Sequence, residues 1–330
     1  MDEALQLAVQ AYGQTQQMLF EVVIQPVMFK WGLANFLEDG YAAAGWFLVG
    51  IGQIILLITV LRALEHWRPV EPVLDRRVVQ TDMIYTVIHR LGLFRLALFV
   101  LMYPVWDALF SEMAFWGVMP WHLDAALAPG WLGVTDTAWF AFLIYLVVFD
   151  LFDYWFHRGQ HYFHAWWALH SLHHSQRQMT LWSDNRNHLL DDVLRDSLLI
   201  VLAKLIGVAP GQFVALVACT QLLESLSHAN VKMSFGWLGD RILVSPQYHR
   251  LHHALGIGHE SQGPHTLGGH NYAVLFPVWD ILWGTARFNS GYHPTGIRDQ
   301  LPEYGAHDYG KGFWQQQVMG LKRMGRSLRN

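Results

Sequence analysis

The chain has 330 residues, 53% of them hydrophobic and only 15% charged, with a formal net charge of −4 and a mean hydropathy of +0.19. A soluble domain carries about 25% charged residues, so this deficit, together with 16 Trp and 19 Phe, points to a membrane, and no basic excess points to nucleic acid. The single cysteine, Cys219, excludes an intrachain disulfide framework and a cysteine-ligated iron–sulfur cluster, and no GxGxxG fingerprint marks a flavin or nicotinamide site.

The N-terminal stretch MDEALQLAVQAYGQTQQ lacks the basic region of a cleavable signal peptide. Gln17 to Phe36, with Glu21, Pro26 and Lys30, reads as an interfacial helix or a poor span. Tyr41 to Leu61 is uncharged and has the length of about 20 residues that a bilayer core needs. Arg62, Arg68, Arg76 and Arg77 follow it. A second apolar run covers Leu91 to Phe110, interrupted by Arg95 and Asp107, and a third covers Trp131 to Phe149, with Asp136 near its start. No Lys or Arg lies between Arg95 and Arg158. The positive-inside rule therefore places Arg62–Arg77 in the cytoplasm, the 111–130 loop outside, and Arg158 back inside. A fourth apolar segment, Ser197 to Leu223, has Pro210-Gly211 at its middle. Each half makes only about 20 Å of helix, too short to cross alone, so it reads as a hairpin that dips in and returns or as one kinked spanning helix; an even number of crossings, needed if His170–His174 and His249–His253 share a site, favours the hairpin.

Of the 19 histidines, 14 lie between His157 and His270. His157 and His161 are spaced i, i+4. His170, His173 and His174 form HxxHH, and His249, His252 and His253 form a second HxxHH. On a helix each set projects from one side. His188 and His228 are candidates for two more ligands. The set is too large for one ion, since a zinc site takes about four ligands. Imidazole suits Fe, Zn, Cu and Ni, and the simplest expectation is two neighbouring metal ions held at the cytoplasmic membrane face. Ligating imidazoles usually give their second N–H to a carboxylate or carbonyl; Asp153, Asp184, Asp191, Asp192 and Glu224 are close in sequence. The remaining histidines, His164, His259, His265 and His270 among them, fall outside the pattern. A membrane metal transporter, or another histidine-rich metal-binding protein, is the rival reading. Transporters place ligands inside spanning helices near the midplane, whereas these clusters are expected after the spans.

The stretches DLFDYWFHRGQH, LHSLHHS, SHANV, SPQYHRLHH and HNYAVLFPVWDILWGT together resemble the sterol desaturase and fatty acid hydroxylase superfamily of membrane di-iron enzymes, over roughly Phe140 to Phe288. His157–His161, His170–His174, His228 and His249–His253 match its histidine elements; Asn271-Tyr272 and Trp279-Asp280 with Gly284-Thr285 match its tail. Ala273 stands where the family has glycine, Leu189 where some members have proline after the histidine corresponding to His188, and Leu255–Gly269 is a long His- and Gly-rich insert, a candidate lid. The resemblance implies two iron ions (zinc is possible in purified protein), O2 as cosubstrate, and hydroxylation or desaturation of a lipid C–H bond: sterol-like, fatty acyl or alkyl ether. It implies an external electron donor, cytochrome b5-like or a ferredoxin with its reductase. The basic tail, Lys311, Lys322, Arg323, Arg326 and Arg329, is a candidate docking point for an acidic donor or for anionic lipid.

The expected architecture is all-α: an integral membrane protein of about four transmembrane or hairpin helices with a histidine-lined helical catalytic domain on the cytoplasmic face, in a bacterial inner membrane. Residues 1–130 form interfacial and transmembrane helices, 131–290 the catalytic domain with its membrane hairpin 197–223, and 291–330 a cytoplasmic tail.

Overall fold

The computed structural model describes residues 3–127, 138–256, 269–288 and 291–329. Among them the regular structure is helical, and extended pairing is limited to two isolated bridges, Pro69 with Val231 and Ala254 with Thr295. The expected domain limits near 130 and 290 fall outside the described residues.

Helix α1 (Glu3–Leu19) passes through a π-helical turn, Phe20–Ile24, into α2 (Gln25–Lys30). Pro26 has no amide hydrogen, and the widened turn before it absorbs the missing bond. Of the Gln17–Phe36 stretch expected to be interfacial or a poor span, Gln17–Lys30 is thus part of one long helix lying along α3 (Leu37–Leu56), and the rest is the turn between them. Tyr12 donates to the Gly45 carbonyl and Gln16 to that of Tyr41. A second π turn, Leu57–Leu61, carries α3 into α4 (Arg62–Trp67), so that Ala34–Trp67 is long and apolar enough to cross a membrane.

Helix α5 (Arg76–Arg90) starts where the Asp75 carboxylate accepts from the amides of Arg77 and Val78. Gly92 turns the chain into α6 (Leu93–Phe115), a second helix able to span. Phe94, Leu98 and Trp106 of α6 face the protein, while Leu96, Val100, Leu101 and Val105 are exposed, a surface suited to lipid. After α7 (Leu123–Leu127) comes α8 (Ala138–Tyr162), the third such helix.

Here the structure corrects the sequence reading. The apolar run expected to end at Phe149 continues as helix to Tyr162, so the HRGQH motif occupies the last turns of a spanning helix instead of following it. The acids that interrupt the run do not stop the helix because they are satisfied within the protein. Asp150 accepts from the amides of Leu275 and Phe276 and from the Trp279 indole, and Asp153 pairs with Arg195. The beginning of the run, 131–137, lies outside the described residues.

Helix α9 (His164–His174) follows directly, then α10 (Leu189–Leu205) and α11 (Pro210–His228). The break between these two falls at 206–209, earlier than expected. Gly207 adopts φ +78° there, and Pro210 opens α11, where a missing amide hydrogen costs nothing. The start of α10 and the end of α11 both stand beside α9, so the pair runs out and returns. Short helices α12 (Gly236–Ile242), α13 (Pro246–His252) and α14 (Val278–Leu282) and the C-terminal α15 (Phe313–Ser327) complete the chain.

The main core joins Tyr145, Leu146 and Phe149 of α8 to Leu199 of α10, Leu216 of α11 and Leu275. Each such side chain contributes about 1.5–3 kcal/mol on burial. A polar tie crosses the bundle. Arg90 at the end of α5 donates to Asp184, to Gln221 and to Ser225. Helix α3 passes so close that a Cβ on Gly50 would stand 1.7 Å from the Arg90 carbonyl oxygen.

Candidate metal centre

Four elements bring the histidines together. The last turns of α8 carry His157 and His161, α9 carries His170, His173 and His174, α11 ends on His228, and α13 with its C-cap carries His249, His252 and His253. All nine are buried. Among the described residues they form three overlapping groups whose ligand atoms lie within 4.8 Å of one another: His157, His161, His170 and His174; His173, His228, His249 and His253; and His174, His252 and His253. The stacked rings of His174 and His253, 4.3 Å apart, join the first two groups.

In the second group the Nε2 atoms converge. His228 Nε2 lies 3.1 Å from His173 Nε2 and 3.0 Å from His249 Nε2, which lies 3.1 Å from His253 Nε2. The Nδ1 of His228 must carry its proton, because it donates to the Glu224 carbonyl at 2.8 Å. A neutral imidazole has one N–H, so the Nε2 of His228 is a bare electron pair aimed at two other rings. A cation satisfies such a convergence. Nitrogens 3.0–3.1 Å apart are close enough for His173, His228, His249 and His253 to hold one ion between them.

The same proton placement recurs. His157 Nδ1 donates to the Tyr272 carbonyl at 2.8 Å, and its buried Nε2 has no hydrogen-bond partner. His252 Nδ1 donates to the His270 carbonyl at 2.7 Å. Carbonyls accept only, so they fix the tautomer in which Nε2 carries no proton, the ligating form. The expectation that nearby carboxylates would orient the rings is therefore met mostly by backbone. Among the acids, Asp191 stands 3.5 Å from His170 Nδ1 and is itself held by Gln160 and Trp166, whereas Asp153 is taken by Arg195.

Sequence reasoning gave Asp280 no role. Its buried carboxylate accepts from the amides of Tyr272 and Ala273 and from the hydroxyls of Tyr248 and Thr285, and so fixes the turn whose carbonyl holds His157. The Trp-Asp and Gly-Thr pairs of the tail were the available signal.

Burial, reinforced by the neighbouring histidines, drives His170 down to about 3 and His173, His249 and His253 well below the ordinary histidine value. Neutral rings are the ligating form. The residues present thus fit two adjoining metal ions.

His188 stands apart from these groups, which corrects its inclusion among the candidate ligands. It caps α10: its Nδ1 accepts from the Leu190 amide and its Nε2 donates to the Gln317 carbonyl, so both nitrogens are occupied by backbone. His270 contributes its carbonyl, and His164 lines an open pocket of about 390 Å³ beside His161, Trp167 and Arg298. His259, His265 and most of the candidate lid lie outside the described residues. A second cavity of about 110 Å³, polar-walled, reaches His157, His170, His173, His228 and His249 from between α8, α10 and α11.

The fatty acid hydroxylase family matches residues 142–285. The chain is 29% identical over 191 residues to ornithine lipid hydroxylase OlsE of Rhizobium tropici, covering 57% of this chain and 52% of that one. It is 31% identical over 150 residues to alkylglycerol monooxygenase of Danio rerio (46% and 31%), and 29% identical over 157 residues to Delta(7)-sterol 5(6)-desaturase ERG3B of Gibberella zeae (48% and 43%). The chain therefore spans about half or less of the length of these relatives. No solved structure matches it. The region that matches the fatty acid hydroxylase family contains all nine clustered histidines and the Asp280 turn that orients them.

Proposed function

We propose that the protein is a membrane-bound, O2-dependent di-iron oxidoreductase that hydroxylates or desaturates a C–H bond of a lipid. The observation that carries this reading is the burial of nine histidines in overlapping groups at the end of a helix able to span a membrane. Bound iron supplies the activation of O2 and the oxidation of the C–H bond. The protein's part is to hold His157, His161, His170, His174 and His252 about one ion and His173, His228, His249 and His253 about the other. The carbonyls of Tyr272, Glu224 and His270 keep Nε2 unprotonated on His157, His228 and His252. The buried Asp191 beside His170, with other carboxylates of the polar chamber, offsets the charge of the ions.

The relatives' names support a lipid as substrate: one acts on ornithine lipid, one on alkylglycerol, one on a sterol. Electrons come from an external carrier, cytochrome b5-like or a ferredoxin with its reductase. The arginines after the first span and Arg158 support a cytoplasmic site in a bacterial inner membrane, with α10 and α11 as a hairpin dipping into the bilayer.

Iron and zinc per polypeptide, measured on protein purified in mild detergent beside the His173→Ala/His252→Ala variant, test the reading. Close to two metal atoms per chain, lost in the variant, is the expected result. One atom or none, unchanged in the variant, would overturn it.

A further inference from the structure

Helix α15 is inside out for a helix packed on a protein. Gln316 and Gln317 are 2% and 7% exposed, whereas Trp314 is 76% exposed and Val318, Leu321 and Leu328 are exposed with it. At 3.6 residues per turn these four form one stripe. The buried glutamines are all used. Gln316 accepts from the Tyr85 hydroxyl; Gln317 donates to Tyr85 and to the Asn187 carbonyl and accepts from the Leu189 amide. The inner face is thus satisfied by protein, and the apolar face is left outward.

What covers that face follows from charge and position. Residues 311–330 contain no acid, and exposed Lys322, Arg326 and Arg329 lie along one flank of the stripe. The helix packs against α5 through Phe313, 4.7 Å ring to ring from Tyr85. Helix α5 joins two membrane-crossing helices, the first ending at Trp67 and the second beginning at Leu93, so α15 is held against the membrane-crossing part of the protein.

We propose that α15 is an interfacial helix whose Trp314–Leu328 stripe is seated in an anionic lipid surface, with Lys322, Arg326 and Arg329 on the lipid phosphates. This goes beyond the proposed reaction and does not depend on it. Because Arg323 of α15 also donates to the Ala168 carbonyl of α9, the lipid-bound helix backs the helix that carries three of the histidines.

Spin labels on Val318→Cys and, as an aqueous control, Tyr304→Cys test this in the full chain with Cys219→Ser, reconstituted in phosphatidylcholine with and without phosphatidylglycerol. Both labelled sites are exposed, so neither label displaces packing. The expected result is an oxygen-to-nickel-chelate accessibility ratio at 318 at least about threefold above that at 304. The ratio should rise with phosphatidylglycerol, and Lys322→Gln/Arg326→Gln should abolish the rise. An aqueous ratio at 318 in both lipids overturns the proposal. So does a 318 label shielded from both reagents, which would mean a protein covers the stripe.

Discussion

A histidine ring in the cage must remain neutral while surrounded by other rings, and this sets its response to acid. In the unfolded chain these rings take up protons below about pH 6.5. In the folded, metal-free chain burial holds His170 near 3 and His173, His249 and His253 well below the ordinary value. A depressed folded-state value means the unfolded state binds more protons, so stability is present above about 6.5 and is lost as pH falls toward the folded values. Each such ring contributes up to about 1.4 kcal/mol per pH unit. Chelator-stripped protein should therefore melt at steadily lower temperature between pH 7 and pH 5 in detergent. A melting temperature flat across that range would contradict this account of the cage.

At the scale of elements, the ligand helix α9 depends on α15. Arg323 of α15 donates to the Ala168 carbonyl of α9, and α15 meets the start of α10 so closely that a Cβ on Gly320 would stand 2.3 Å from His188 Cδ2. Because His188 caps α10 and its Nε2 donates to Gln317, it cannot retreat without losing that bond. Gly320→Val should push α15 away from the His188 cap of α10, loosening its hold on α9, and cost about 1–3 kcal/mol, the range for overpacking a buried contact. Thermal unfolding reads the cost, and metal content per chain reads its effect on α9. Unchanged stability would mean that α15 is loosely held.

Across the whole molecule, the helices that face lipid are tied to the histidine end by buried charge. Arg90 links α5 to Asp184 and to Gln221 and Ser225 of α11, in a setting where the Arg90 and Asp184 side chains are almost fully enclosed. Arg90→Met leaves the Asp184 carboxylate buried without its cation and should cost about 3–5 kcal/mol. Arg90→Met/Asp184→Asn should recover part of that loss in a melting experiment. If the double variant melts no higher than the single one, the pair is not the tie.

The sequence by itself determined the class and the chemistry. Long uncharged runs place helices in a bilayer because an unpaired backbone cannot be left in lipid. HxxHH repeated twice puts imidazoles on one side of a helix because the helical period is fixed. The His157–His161, His170–His174, His228 and His249–His253 motifs were legible for that reason, since their spacing is local. Only the tertiary structure decided which rings meet. His188 sits beside Asp184, Asp191 and Asp192 and reads like a ligand, yet it caps α10 and a C-terminal helix distant in sequence takes its Nε2. Asp150 and Asp153 look like the end of a span, yet partners more than forty residues away, Arg195 and the Leu275–Trp279 segment, satisfy them and let α8 run on to His161. The carbonyls that set the tautomers leave no trace in composition. A local period can be read from one strand of sequence, but the partner of a buried polar group is chosen by the fold.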